Sequence, residues 1–250
     1  MKMANGVFEL FPGWEVDEWY GFKRYKFEFE GRYAWVAVPE TPAGDGRFSW
    51  CTQWAEAFVP RVGTVELLKN GFYHVHIDIF DTKASPEGVA VMGRFHDWLV
   101  SRGLSAKANL IGMSWGGFIS LRYAGTFPER IAAIYLDAPV CNAADPGAEA
   151  ADRLEAISSN YGLTVEELKK SPLNPLNKLQ FFADYNIPLF IATGEDDLLV
   201  KVATNINLVE EELKRMNVAY KIIRRPVWGH HPHGFDDVSE VLEFHMKSRR

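Results

Sequence analysis

Cysteine is scarce in this chain, with only Cys51 and Cys141 among 250 residues, and the two stand at no spacing that suits a disulfide framework or a metal knot. A pair of free thiols is the expectation, and neither demands an oxidising compartment. Long apolar runs are also missing. Nowhere do about 18 consecutive apolar residues occur, as a membrane span requires, so no membrane association is expected. The opening "MKMANGVFELFPGW" has no continuous apolar stretch of the kind a leader carries. The chain as given therefore reads as cytoplasmic, or as periplasmic or secreted if a leader has been removed. Runs of one charge are absent too. The formal charge of -6 is spread along the chain with no Lys/Arg tract to follow a phosphate backbone, which argues against nucleic acid as a partner. There is no internal repeat or low-complexity tract, and nothing fixes an oligomeric state.

What is present is a core-forming composition. With 47% of residues hydrophobic, residues 1–250 can bury a sizeable core as one domain. "FKRYKFEFEGRYAWVAVPE" places two alternating runs around Glu30-Gly31, which predicts an antiparallel hairpin. Strand and helix patterns then alternate. "GFYHVHIDIF", "AKANLIGMS", "IAAIYLDAP", "IPLFIATG" and "AYKIIRRP" read as strands. "SPEGVAVMGRFHDWLVSRG", "WGGFISLRYAGTFP", "KVATNINLVEEELKRMN" and a last segment from about Asp236 read as helices. Short apolar strands separated by amphipathic helices imply a mostly parallel sheet in an α/β fold with helices on both faces. The pattern breaks from about 142 to 186, where "LTVEELKKS" carries a capping box from Thr164 to Glu167 and "NPLNKLQFFADY" starts another helical piece. A helical insert there is a short lid or cap if it overhangs the ligand edge of the sheet, and surface padding if it does not.

The chemistry centres on "LIGMSWGGFISL", Leu110 to Leu121. A serine hydroxyl is a poor nucleophile at neutral pH and needs a general base and donors for an oxyanion. Gly-x-Ser-x-Gly meets the geometric part. Ser114 would sit on a sharp turn between strand and helix, and glycines at 112 and 116 would remove side chains that collide with neighbouring backbone. The helix that begins beside Ser114 favours negative charge at its N-terminus, so the Trp115 N–H is one expected oxyanion donor. The second is expected from "ETPAGDGRFSWCTQ", with Trp50 the candidate. Downstream, "GEDDLLV" offers Glu195, Asp196 and Asp197 after one strand, and "VWGHHPHGFDD" offers His230, His231 and His233 after another. Asp137 in "YLDAP" also ends a strand and is a rival acid. The three histidines allow a metal reading, although zinc sites use other spacings and add Cys or carboxylate. His74 and His76 alternate with apolar residues and are explained by packing.

Together, "GMSWGG", "TGEDDLLV" and "VWGHHPHG" resemble the α/β-hydrolase superfamily over nearly the whole chain. That resemblance implies a nucleophile at Ser114, an acid at Asp197, three residues after Gly194, and a base at His230, directly after Gly229. More narrowly, "DAPVC", "NPLNKL" and "GHHPHG" resemble bacterial hydrolases that include carbohydrate esterases. The implied activity is hydrolysis of carboxylic esters through an acyl-enzyme, with a small-molecule or glycan ester as substrate and no metal or organic cofactor. The alternatives are a carbon–carbon bond hydrolase using the same triad and a non-catalytic binding protein on the same fold. Trp228 and His231 are candidate pocket residues, as are Trp50 and Trp115. Trp228 has a second reading as packing beneath the histidine loop, and Trp54 as facing the core from a helix.

Overall fold

A computed structural model describes residues 13–145, 147 and 150–248. The first twelve residues, on which the reading about a leader rests, lie outside the described residues, as do 146, 148 and 149 within the insert. Among the described residues, nine strands form one sheet: β1 (Glu15–Trp19), β2 (Phe22–Phe29), β3 (Arg32–Val38), β4 (Phe48–Cys51), β5 (Tyr73–Ile77), β6 (Ala108–Met113), β7 (Ile131–Asp137), β8 (Leu189–Gly194) and β9 (Lys221–Arg225). Their spatial order is β1-β2-β3-β5-β4-β6-β7-β8-β9. The β1, β2, β3 and β5 neighbours pair antiparallel, and every pair from β5/β4 through β8/β9 is parallel. The expected hairpin is β2–β3, with Phe29 opposite Arg32 and both turn residues, Glu30 and Gly31, at positive φ. That pair of left-handed residues gives the turn the twist the strands need.

Among the described residues, eight α-helices accompany the sheet: α1 (Thr64–Lys69), α2 (Pro86–Ser101), α3 (Trp115–Thr126), α4 (Ala150–Tyr161), α5 (Val165–Lys170), α6 (Phe181–Tyr185), α7 (Ile206–Arg215) and α8 (Ser239–Lys247). Their starts follow local chemistry. Ser85 accepts the Gly88 N–H at the head of α2 with Pro86 in the first turn, and Thr164 and Glu167 close the reciprocal capping box on α5. Two apolar clusters cover the two sheet faces. Leu110 and Ile134 point to one, with Met92 and Phe95 of α2, Phe118 of α3 and Leu213 of α7; Ile111 and Tyr135 point to the other, with Leu67 of α1 and Val241 of α8. The alternation along β6 and β7 is the period of two that puts neighbouring side chains on opposite faces.

One expectation is corrected by the sheet. The segment read as a loop from 40 to 53 contains β4, whose four residues are all buried between β5 and β6. A four-residue run buried on both faces has no polar alternation to betray it, and its Gly-rich approach disguised it further. Between β7 and β8 the chain makes the helical excursion α4–α6. Ile157, Leu168 and Phe182 are wholly buried. Its roots are tied down: Asn205 Oδ1 accepts the Cys141 and Asn142 N–H groups at 2.8 and 3.1 Å, and the Tyr161 hydroxyl donates to the Lys83 and Ala84 carbonyls. Cys51 and Cys141 are both free and buried, and burial pushes the Cys51 thiol up to about 12. Among the described residues, no helix is long and apolar enough to cross a membrane.

Candidate active site

Ser114 lies between β6 and α3 with φ 50° and ψ −118°, a conformation that non-glycine residues seldom adopt. Backbone bonds hold it there: its N–H donates to the Asp137 carbonyl at 3.0 Å, and its carbonyl accepts from Gly117 and Val140, each at 2.9 Å. A Cβ at Gly112 would fall 2.7 Å from the Gly116 carbonyl oxygen and from Ser120 Oγ, so the first glycine is sterically required. The second requirement sits one residue later than expected. A Cβ at Gly116 would meet Gln53 and Thr52 atoms at 3.3 Å, a tight fit, whereas one at Gly117 would fall 2.2 Å from Pro139 Cβ.

Because the strands from β4 to β9 run parallel, the loops that follow β6, β8 and β9 emerge at one edge of the sheet. There His230 Nε2 lies 3.0 Å from Ser114 Oγ, and His230 Nδ1 lies 2.7 Å from Asp197 Oδ2. With the ring neutral, Nδ1–H donates to the carboxylate and Nε2 accepts the serine hydroxyl proton. The other Asp197 oxygen accepts the N–H groups of Leu199 and Val200 at 2.9 and 2.8 Å, which fixes the carboxylate's orientation. The neighbouring acids do not take part. Glu195 is exposed and pairs with Arg224, and Asp196 is exposed. Asp137 is wholly buried but turns to a different histidine: its Oδ1 lies 2.7 Å from His233 Nδ1, and its Oδ2 accepts the Gly234 N–H at 3.0 Å and the Tyr135 hydroxyl at 3.1 Å. Burial alone would raise the Asp137 pKa; the bond from His233, the Arg225 charge and the Gly234 N–H outweigh it and hold the group below its ordinary range.

A family profile described as alpha/beta hydrolase fold matches residues 79–176, the stretch that carries the elbow. The chain has the α/β-hydrolase fold. Solved structures repeat the architecture at low identity. S-formylglutathione hydrolase from Agrobacterium tumefaciens aligns with a TM-score of 0.62 at 15% identity, over 92% of this chain and 94% of that one. The fluorophosphonate-binding serine hydrolase F of Staphylococcus aureus aligns at 0.64 and 17%, over 84% and 91%. Dipeptidyl peptidase 4 of Porphyromonas gingivalis aligns at 0.62 and 13%, over 94% of this chain but only 35% of its own, so the chain spans about a third of that peptidase. No curated protein matches the sequence.

Within this α/β-hydrolase frame two expectations about the oxyanion donors separate. Trp115 is the first residue of α3, so its N–H has no partner inside the helix, and it adjoins Ser114. Trp50 is not at the mouth. It sits inside β4, paired in register with Val75 and Leu110, and its indole packs in the core against Phe95, His96 and Tyr123. The segment that does reach the elbow follows β4 rather than preceding it. Gln53 N would lie 3.3 Å from a Cβ at Gly116, and among the described residues this N–H has no acceptor. The parallel placement of β4 beside β6 was the missing signal.

The pocket candidates also divide. Trp228 is half-buried and serves its own loop: its Nε1 donates to the Pro232 carbonyl at 3.1 Å, and the Arg225 guanidinium lies 5.0 Å from its ring centre. His231 is exposed, with its ring stacked 5.8 Å from Phe58. Trp54 is 41% exposed in a turn at positive φ and not in a helix, with its ring 5.2 Å from Phe80, which in turn lies 6.0 Å from Trp115. Lys83 Nζ stands 3.6 Å from the Phe80 ring centre, and burial lowers its pKa. Three aromatic side chains therefore run from the residue beside Ser114 toward solvent.

Proposed function

We propose that the protein hydrolyses carboxylic esters through an acyl-enzyme on Ser114. The observation that carries this reading is the connected line Ser114 Oγ, His230 and Asp197, with separations of 3.0 and 2.7 Å. Ser114 Oγ attacks the ester carbonyl carbon as its proton passes to His230 Nε2. Asp197 holds the imidazole in the tautomer that can accept that proton and stabilises the imidazolium. The N–H groups of Trp115 and Gln53 receive the oxyanion, aided by the N-terminus of α3. His230 then protonates the departing alcohol. A water that gives its proton to His230 attacks the acyl-enzyme and releases the acid.

The substrate class that fits best is a carbohydrate carrying acyl or methyl ester groups. The exposed Trp54 and the half-buried Phe80 support it, because flat apolar faces can stack against sugar rings or a planar acyl group, while the Trp115 indole, only 3% exposed, packs beneath them. The test is turnover of p-nitrophenyl acetate and butyrate by wild type and by Ser114→Ala, with fluorophosphonate labelling alongside. The expected loss in Ser114→Ala is about 10⁶-fold in kcat, together with loss of the label. A wild type inert to both esters and to the label would overturn the reading. Ranking acetylated and methyl-esterified oligosaccharides against short-chain lipid esters by kcat/KM tests the class, and lipids in first place would refute it.

A further inference from the structure

His230, His231 and His233 come from one short loop, yet they do not lie in a row. Their ring centres are 4.8, 4.8 and 4.9 Å apart, and the three pairs cross at 77°, 78° and 85°. No two stack. One ring nitrogen from each lies within 4.8 Å of the other two. The loop curls back because Arg61 Nε holds the His233 carbonyl at 2.9 Å and the Arg61 carbonyl receives the Phe235 N–H at 2.8 Å. The backbone thus overcomes a ligand spacing that the sequence alone makes unpromising.

Two of the three imidazoles also have the support that metal ligands use. His230 and His233 each direct Nδ1 at a buried carboxylate, Asp197 and Asp137, both at 2.7 Å. A carboxylate on one ring nitrogen fixes the tautomer and raises the basicity of the other, which then serves as donor to the ion. The third, His231, is exposed and gives a route from solvent. From these observations we propose that His230, His231 and His233 bind a divalent zinc-type ion, and that its binding switches the hydrolase off.

Neutral imidazoles suit zinc, copper and nickel and do not suit magnesium or calcium. Tetrahedral zinc at about 2.0–2.1 Å from each nitrogen needs its ligands roughly 3.4 Å apart, so nitrogens now within 4.8 Å of one another must close by up to about 1.4 Å. Water completes the fourth position. The inhibition follows from the shared atom. His230 Nε2 now accepts the Ser114 hydroxyl at 3.0 Å, and a metal on that nitrogen occupies the lone pair that must take the serine proton. The ion exchanges bound waters for imidazoles, and no covalent bond of the protein is made or broken.

The inhibitory half of this inference rests on the esterase reading, whereas metal binding does not. The experiment is calorimetric titration of the metal-free full chain with zinc chloride, with magnesium chloride as control, beside zinc inhibition of p-nitrophenyl acetate turnover. The variants are His231→Ala and His233→Asn, each normalised to its own metal-free rate and checked for folding by circular dichroism. The expected result is one zinc per chain, no magnesium heat, at least 90% inhibition at saturation with a midpoint matching the calorimetric Kd, and recovery on adding EDTA. His231→Ala should weaken both constants at least tenfold, and being exposed it tests the site even if His233→Asn fails to fold. Absence of a single zinc site, an unchanged Kd in folded His231→Ala, or zinc bound by an enzyme that stays active would each overturn the proposal. If wild type turns over no ester, the calorimetry still decides the site while the esterase reading falls separately.

Discussion

Replacing Asp137 by asparagine and, separately, Asp197 by asparagine should produce opposite defects, although each aspartate follows a parallel strand and each faces a histidine. Asp137 is wholly buried, receives three hydrogen bonds from His233, Gly234 and Tyr135, and has the Arg225 guanidinium at 3.4 Å. Removing its charge leaves Arg225, whose side chain is 12% exposed and whose Nε has no partner among the described residues, without its buried counter-charge and with the Gly234 carbonyl as acceptor. Breaking a buried pair costs about 3–5 kcal/mol, and the isosteric amide keeps one acceptor, so about 3 kcal/mol is expected. For a chain of this size that is a fall in Tm of about 6–12 °C. Activity well below the new Tm should stay within about tenfold, since His230 keeps its own carboxylate. Asp197→Asn should leave Tm within a few degrees and lower kcat by about 10⁴-fold, because an amide there favours the wrong imidazole tautomer. Thermal unfolding and initial rates on p-nitrophenyl acetate give both readouts from one preparation. An inactive Asp137→Asn with unchanged Tm, beside an active Asp197→Asn, would refute the assignment of the acid and with it the reading of Asp137 as a structural anchor.

Three further outcomes are expected. Gly194→Ala would put a Cβ 2.1 Å from the Trp228 carbonyl oxygen and 2.5 Å from that of Gly229, so the histidine loop must move; kcat should fall at least about 100-fold, while Gly125→Ala, whose Cβ meets nothing nearer than 3.5 Å, should be nearly silent. Burial lowers the pKa of His74 and His245 to about 3 and of His96 to about 4. The unfolded chain therefore binds more protons below about pH 6.5, and stability present above that pH is lost as pH falls. Between pH 7.5 and 5.5 each histidine contributes about 1.4 kcal/mol, about 4 kcal/mol together, and a urea midpoint that does not move over that range would contradict the burial argument. Finally, Trp54→Ala should raise KM for an esterified oligosaccharide about fivefold or more with kcat little changed, and leave p-nitrophenyl acetate unaffected; equal effects on both substrates would remove Trp54 from the sugar face.

How far each residue was legible in the sequence depended on whether its constraint is local. The elbow is local: strand, sharp turn and helix within "ANLIGMSWGGFISL" leave little choice about where Ser114 points, and Gly112 has a backbone oxygen where its side chain would be. The mistaken Trp50 came from a non-local fact. Which loop touches α3 depends on strand order, and the chain crosses from β4 outward to β5 before returning to β6 on the other side. No window of sequence contains that crossover, so the loop after β4, with Gln53, could not be preferred to the one before it. The same limit applied to the acids, since strand ends at Asp137 and at Asp197 look alike until their neighbours are known.

Those neighbours also give the two aspartates distinct mechanical parts. Asp197 is oriented by N–H groups of its own loop, and among the described residues its carboxylate hydrogen-bonds to one other side chain, His230, so it can answer a change of charge on that ring without disturbing the sheet. Asp137 belongs to β7, and through His233 and Gly234 it fastens the far end of the histidine loop to the centre of the molecule; Arg225 of β9 adds a second tie by donating to the Gly234 carbonyl at 2.8 Å. The near end is held where the Asp196 N–H meets the Trp228 carbonyl at 3.0 Å. His230 thus hangs between two anchored points on a segment that would otherwise be free to drift. A general base must stay within hydrogen-bond reach of its nucleophile through both halves of an acyl transfer, and fixing the loop at both ends holds the buried His230 there.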